Sequence, residues 1–303
     1  MPPNPHSITL RLAAIDIGSN AARLLISEVS IDDDGTPRFM KLNLFRVPLR
    51  LGFDVFEKGE ISDQKADALM NTIQAYRHLM KAYDVRHHRA CATSAMRDAS
   101  NSAEVIGNIQ KETGVSIEVI SGDMEASLIY ENHIAENLDK EESYLYVDVG
   151  GGSTELTFFS DGRMVFKKSF NIGTIRLLKG LVTQEQWTEM KDFIREHTRG
   201  HRHVTAIGSG GNINKVFSLS KRKEGKSLPL ELLRDYHREL SSVGLEQRKK
   251  LYNMNTDRAD VIVPALQIYI NVMRWAECDD IHVPKIGLAD GLIHHLYDEV
   301  MRY

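Results

Sequence analysis

Ten consecutive residues, Tyr146-Val147-Asp148-Val149-Gly150-Gly151-Gly152-Ser153-Thr154-Glu155, place two carboxylates, three glycines and two hydroxyls behind an apolar run. Glycine lacks a Cβ, so its backbone N–H groups approach a phosphate closely and its φ turns positive at no steric cost. Ser153 and Thr154 add hydroxyl donors. A carboxylate beside a phosphate site holds a metal ion or moves a proton. A plain β-turn needs fewer than three glycines. The pattern therefore predicts a phosphate-binding loop made of Gly150, Gly151, Gly152, Ser153 and Thr154, flanked by Asp148 and Glu155. The element that presents it is Tyr144 to Val149, which is short, aromatic and β-branched like a buried strand.

The same order of residues occurs earlier. Ala13-Ala14-Ile15-Asp16-Ile17-Gly18-Ser19-Asn20 is again an apolar strand, an acid, a glycine and a hydroxyl, and a second apolar strand follows from Leu24 to Val29. Two such units point to an internal duplication. Gly18, Ser19 and Asn20 are then a second phosphate loop. Asp16 and Asp148 close their strands and are candidate Mg²⁺ ligands, although an Asp at a strand end also caps turns. A third glycine turn, Gly208-Ser209-Gly210-Gly211, follows the strand Val204 to Ile207 and leads into a helix. Gly210 and Gly211 are its phosphate-facing candidates. Two phosphate loops plus a glycine turn form the pattern of the actin, Hsp70 and sugar-kinase fold. The expected class is thus α/β, a duplicated two-domain architecture with a cleft between the domains.

The chain of 303 residues is long enough for two cores. A net charge of −4 argues against a broad nucleic-acid face. No apolar run reaches membrane-spanning length, and the first residues lack a signal-peptide pattern. Cys91 and Cys278 are far apart without metal spacing, as expected of reduced buried thiols. A cytoplasmic enzyme with neither membrane nor nucleic-acid partner fits these properties.

Periodicity supplies the remaining elements. Asp33-Asp34-Gly35-Thr36-Pro37 reads as a hairpin turn. Gly52 to Gly59 reads as a loop, and Ser62 as the N-cap of a long helix. Asn101 with Glu104 has capping-box spacing, and Gly114 stands where a C-cap would. Ser121-Gly122-Asp123 opens a helix to about Asn137, and Gln184 to Thr198 is amphipathic. Ala259 to Ala276 reads as one helix. The expected domains are residues 8–128 and 129–303, with the last helix packing back on the first.

Several ordered motifs together are more specific than any one. They are Asp16-Ile17-Gly18-Ser19-Asn20, Ala92 to Asn101, Ile120-Ser121-Gly122-Asp123-Met124-Glu125-Ala126, Asp148 to Glu155, Gly173-Thr174-Ile175-Arg176-Leu177 and Arg258 to Pro264. The chain resembles the exopolyphosphatase and guanosine pentaphosphate phosphohydrolase family over nearly its whole length, in a short two-domain form. The resemblance implies Mg²⁺-dependent hydrolysis of a terminal phosphoanhydride. It implies inorganic polyphosphate or guanosine pentaphosphate as substrate, and a homodimer, because relatives often pair. Glu125 matches the family's catalytic glutamate and Glu155 its second essential acid. Chemistry agrees, because phosphoanhydride hydrolysis needs charge neutralisation and an oriented water. Arg97 is the phosphate-binding cation, since a guanidinium bridges phosphate oxygens bidentately.

Three departures stand out. Ala21 replaces a family serine, Met124 a frequent second glutamate, and Ala289-Asp290 an arginine and a glutamate. The altered Ala289-Asp290 motif keeps a non-catalytic polyphosphate or alarmone sensor open as an alternative. An ATP-dependent kinase of the same fold is a further alternative, against which Glu125 and the triple-glycine loop argue. Lys221-Arg222-Lys223 and Lys226 read first as a solvated basic face.

Overall fold

A computed structural model describes residues 9–31, 35–130, 142–201, 203–284 and 287–302. Asp33 and Asp34 of the expected hairpin turn lie outside the described residues, as does the stretch from 131 to 141 where the helix was expected to end. The chain divides into two compact units, residues 1–120 with 288–303, and residues 121–287.

The first unit runs β1 Thr9–Ile17, β2 Ala22–Ile31, β3 Pro37–Val47, α1 Gly52–Lys58, α2 Asp63–Ala82, β4 His87–Ala92, α3 Ser94–Asp98, α4 Ser102–Thr113 and β5 Ile117–Val119. The second runs α5 Gly122–Tyr130, β6 Ser143–Val149, β7 Thr154–Ser160, β8 Arg163–Phe170, α6 Thr174–Leu178, α7 Gln184–Thr198, β9 Val204–Ser209, α8 Gly211–Ser220, β10 Leu228–Pro229, α9 Leu230–Ser241, α10 Leu245–Tyr252, α11 Thr256–Ala259, α12 Ile262–Trp275 and β11 Asp280–His282. The closing helix α13, Leu288–Met301, belongs to the first unit. A division between residues 128 and 129 would cut through α5. The units part at Ile120 and Ser121 instead, which gives Glu125 to the second.

The two sheets share one wiring. In the first the order is β3-β2-β1-β4-β5, and in the second β8-β7-β6-β9-β11 with β10 added at the edge. In both, the first two pairings in that order are antiparallel and the next two parallel. Antiparallel neighbours are joined by tight turns, whereas parallel neighbours need a helical crossover. This is the duplicated α/β architecture read from the sequence.

Each unit has its own core. Ile15, Leu24, Ile73 and Tyr76 sit at the heart of the first, and Leu145, Leu156, Phe158 and Tyr269 in the second. Each such side chain contributes about 1.5–3 kcal/mol on burial. Helix α13 adds Leu292, Ile293 and Leu296 to the buried set as it packs on β1, β2 and β4.

Four local expectations are corrected. Residues 52–58 are helical, not a loop. Gly59, read as loop punctuation, is a left-handed C-cap at φ 80° whose N–H donates to the Val55 carbonyl. The helix expected from Ala259 to Ala276 is broken after Ala259 and restarts at Ile262. Pro264 has no N–H, so it sits where an N–H would be orphaned, in the first turn of α12. Ser62 and Asn101 do precede helices, but neither side chain caps: Ser62 donates to Asp54, and Asn101 bonds the backbone of Ile61.

Candidate active site

Asp148 and Glu155 are direct cross-strand partners of β6 and β7, so their side chains leave the same face of the sheet. The turn between them is closed by the Gly150 N–H donating to Ser153 O at 2.9 Å. The outer side of this loop is gripped by α6. Gly150 O accepts from Thr174 N at 3.0 Å, Gly151 O from Ile175 N at 2.8 Å, and Gly152 O from Arg176 Nε at 2.8 Å. In a trans peptide the C=O and the following N–H point in opposite directions. Three carbonyls held towards α6 therefore aim the N–H groups of Gly151, Gly152 and Ser153 the other way, as a concave donor set for an anion. Gly173 makes the close approach possible, since a Cβ there would lie 2.4 Å from Gly151 O. The Thr154 hydroxyl is not part of the donor set. It is fully buried and donates to Ile172 O.

Helix α5 brings in a third acid. Carboxylate oxygens of Glu125, Asp148 and Glu155 all lie within 4.8 Å of one another. Glu125 and Glu155 are buried and Asp148 is half-buried. The first turn of α5 rests on β8, where a Cβ on Gly122 would meet the Ser169 Cβ at 2.5 Å. Ser169 Oγ in turn donates to Glu155 Oε1 at 2.8 Å, and Lys167 Nζ donates to Ser127 Oγ at 2.6 Å. Three ionised carboxylates this close repel strongly unless a cation or protons compensate. An all-oxygen, all-anionic donor set suits a hard divalent cation such as Mg²⁺, Mn²⁺ or Ca²⁺, and of the two expected ligands Asp148 belongs to the set and Asp16 does not.

The third glycine turn borders the same acids. Ser209 pairs with Asp148 in parallel register. Gly210, at φ 103°, leaves room beside Asp148, whose Oδ1 would be 3.1 Å from a Cβ. Gly211 lies under the Arg258 guanidinium, which also donates to Asn212 Oδ1 at 3.0 Å. Tyr269 donates to Ser209 O from full burial. Burial, with the Asp148 charge added, pushes its hydroxyl pKa well up, so it stays a donor.

The first unit treats its matching residues differently. Asp16 faces Arg23 across β1 and β2, and Asp16 Oδ2 accepts from Arg23 Nη1 at 2.6 Å. Gly18 N donates to Ala21 O at 3.0 Å. The Ser19 and Asn20 carbonyls accept from the N–H groups of Gly52 and Arg50. The Ser19 hydroxyl is buried against Ser94 Oγ at 2.7 Å and accepts from Ala95 N at 3.2 Å. Arg97 donates through Nη1 to Ile120 O at 2.7 Å. Asp290, in the first turn of α13, pairs with Lys41 at 2.6 Å. Arg222 bonds Ser227 O, and the 221–226 loop is exposed.

Sequence reasoning missed Ser169, Gly122 and the grip of Arg176 on the loop. Arg176 stands inside the Gly173–Leu177 motif, but nothing in the sequence alone says which way its side chain reaches. Ser169 has no signal in one sequence, because its role depends on β7–β8 register, which pairs it with Glu155.

A profile of the Ppx/GppA phosphatase family matches residues 30–300. Exopolyphosphatase 1 of Mycobacterium tuberculosis is 25% identical over 94% of this chain and 87% of its own length. The bifunctional 3-dehydroquinate synthase/phosphatase of Fusobacterium nucleatum is 29% identical over 70% of this chain, which spans only 34% of that protein. Among solved structures, the Ppx/GppA family member of Aquifex aeolicus superposes with a TM-score of 0.73 at 25% identity, covering 97% of this chain and 99% of that one. An exopolyphosphatase from Cytophaga hutchinsonii gives 0.79 at 24% identity, covering 95% and 98%. No helix among the described residues is long and apolar enough to cross a membrane. With its two like-wired units and its acids gathered at a glycine loop, the chain belongs to the Ppx/GppA phosphatase family, has the actin-like ATPase fold and is a phosphoanhydride hydrolase.

Proposed function

We propose that this enzyme is an exopolyphosphatase, releasing terminal phosphate from inorganic polyphosphate with Mg²⁺. The observation that carries the reading is the gathering of Glu125, Asp148 and Glu155 within 4.8 Å at the end of a loop whose amides are aimed by α6. Relatives named as exopolyphosphatases support the choice of substrate. Free, buried Cys91 and Cys278 suit a reducing compartment, in keeping with the cytoplasm.

The amides of Gly151, Gly152 and Ser153 hold the terminal phosphoryl oxygens and stabilise charge that grows on them in the transition state. Glu125, reaching in from α5, orients a water and takes its proton as oxygen attacks phosphorus. The bridging P–O bond breaks, and its electrons leave with the shortened chain. Asp148 and Glu155 would hold the divalent cation, which when bound neutralises phosphate charge. Ser169 fixes the Glu155 carboxylate for that task. In the first unit Gly18, Asn20 and Arg97 remain the proposed phosphate-binding residues. Asp16, already paired with Arg23, is less suited to a metal than Asp148.

The test is phosphate release with Mg²⁺ from long polyphosphate, guanosine pentaphosphate and ATP, in the wild type and in Glu125→Ala. Release from polyphosphate that falls about 10²–10⁴-fold in the variant, with binding kept, is the expected result. Preference for guanosine pentaphosphate would move the function to alarmone turnover. Binding without release from any of the three would favour the sensor.

A further inference from the structure

We propose that Arg176 is a positioning residue that sets the phosphate loop by holding the Gly152 carbonyl, and so aims the Ser153 amide, without touching substrate itself. This rests on the phosphate reading of the loop.

The grip of α6 on the loop has three parts. Two are backbone donors, Thr174 N on Gly150 O at 3.0 Å and Ile175 N on Gly151 O at 2.8 Å. Only proline, which has no N–H, would remove these. The third, Arg176 Nε on Gly152 O at 2.8 Å, comes from a side chain. The Arg176 main-chain N–H is already turned to Gly151 O at 3.4 Å. The helix backbone thus runs out of donors one peptide short, and a side chain supplies the last. That peptide is the one whose other end is the Ser153 N–H.

A glycine triplet has wide conformational freedom, so its donor array exists only if something fixes each peptide plane. Gly150 and Gly151 are fixed by α6, and Ser153 by its carbonyl at Gly150 N. The Gly152–Ser153 plane depends on Arg176. The guanidinium is permanently charged, and a charge-assisted donor is about twice as strong as a neutral one. The closeness of Gly173 to Gly151 and Gly152, with no room for a Cβ, keeps the arginine stem at the loop.

Glutamine separates positioning from direct charge contact. Its Nε2 stands the same number of bonds from Cα as the arginine Nε, and it donates without charge. We would measure tripolyphosphate binding with Mg²⁺ by calorimetry in a Glu125→Ala parent, adding Arg176→Ala or Arg176→Gln. The order parameter of the Ser153 amide would be measured by ¹⁵N relaxation without ligand.

Arg176→Ala is expected to weaken binding about tenfold, the loss of one charge-assisted hydrogen bond. The Ser153 order parameter should fall from about 0.85 towards 0.6. Arg176→Gln should stay within about threefold and keep the amide ordered, and both variants should keep the parent's salt dependence. Equal loss in both variants with a shallower salt dependence would mean direct contact with phosphate and overturn the proposal. So would unchanged binding and an unchanged Ser153 amide in Arg176→Ala. If the parent binds no tripolyphosphate, the phosphate reading fails. The amide measurement then still decides whether Arg176 sets the loop, since it needs no ligand.

Discussion

Asp16 and Asp148 occupy the same place in two copies of one sheet, and each is two residues ahead of a glycine whose N–H closes a four-residue turn. What lies opposite differs. Asp16 faces Arg23, and the pair is complete within the unit. Asp148 faces Glu155, a second negative charge, and Glu125 joins them. Like charges directly opposite on a sheet are destabilising unless a cation compensates. The loops follow the same division. In the first, the serine hydroxyl is turned inward to Ser94, whereas in the second its place is taken by glycine, which has only an amide to offer. One backbone pattern thus carries an acid–arginine pair in one unit and a gathering of three acids in the other. Which of the two it carries is decided mainly by the residue across the strand.

The sharpest way to break this comparison is to give the second unit the first unit's pairing. Glu155→Arg should abolish phosphate release and remove any rise of Tm with Mg²⁺, while the protein still folds. Retained activity would show that the acid pair is not the metal site. Next, Asp148→Asn should lower kcat/KM about 10³-fold. Asp16→Asn should cost only about 1 kcal/mol of stability, because Arg23 is about a third exposed and solvent screens the pair. Equal activity losses in the two variants would erase the distinction. Chelation of the cation comes third. At a hundred times the Kd a bound ion contributes about 2.7 kcal/mol, so its removal should lower the Tm by about 4 °C in a chain of this size. The shift should persist in Asp16→Asn and vanish in Glu155→Arg. The smallest effect is expected of Thr154→Val. It leaves the buried Ile172 carbonyl without its donor, at about 1–2 kcal/mol, and phosphate release should hardly change. A large activity loss at unchanged stability would return the Thr154 hydroxyl to the phosphate site.

The duplication was legible because the strand, acid, glycine and second strand recur in local sequence, and local patterns need no knowledge of pairing. The gathering of the acids was legible only in part. Asp148 and Glu155 are seven residues apart on a hairpin, so their opposition follows from the turn length. The Asp16–Arg23 ion pair follows from the same count, yet charge at a strand end looked like a ligand until its partner was in view. The seat of α5 was beyond reach, since it depends on Gly122 lying flush against Ser169, a long-range contact between two small residues with no pattern of their own. Helix α1 was hidden for a different reason: the glycine that ends it looks, in sequence, like one that forbids it.

The return of α13 bears on the order in which the protein is made. The sheet faces of β1, β2 and β4 that it covers leave the ribosome early, but residues 288–302 emerge only after all of the second unit. The second unit is continuous in sequence and can close its core on the nascent chain. The first must wait, its apolar strands open to chaperones or to neighbouring chains. Synthesis therefore completes the clustered acids Glu125, Asp148 and Glu155 before it completes the first unit, and a chain stopped before residue 288 would hold β1, β2 and β4 without the helix that covers them.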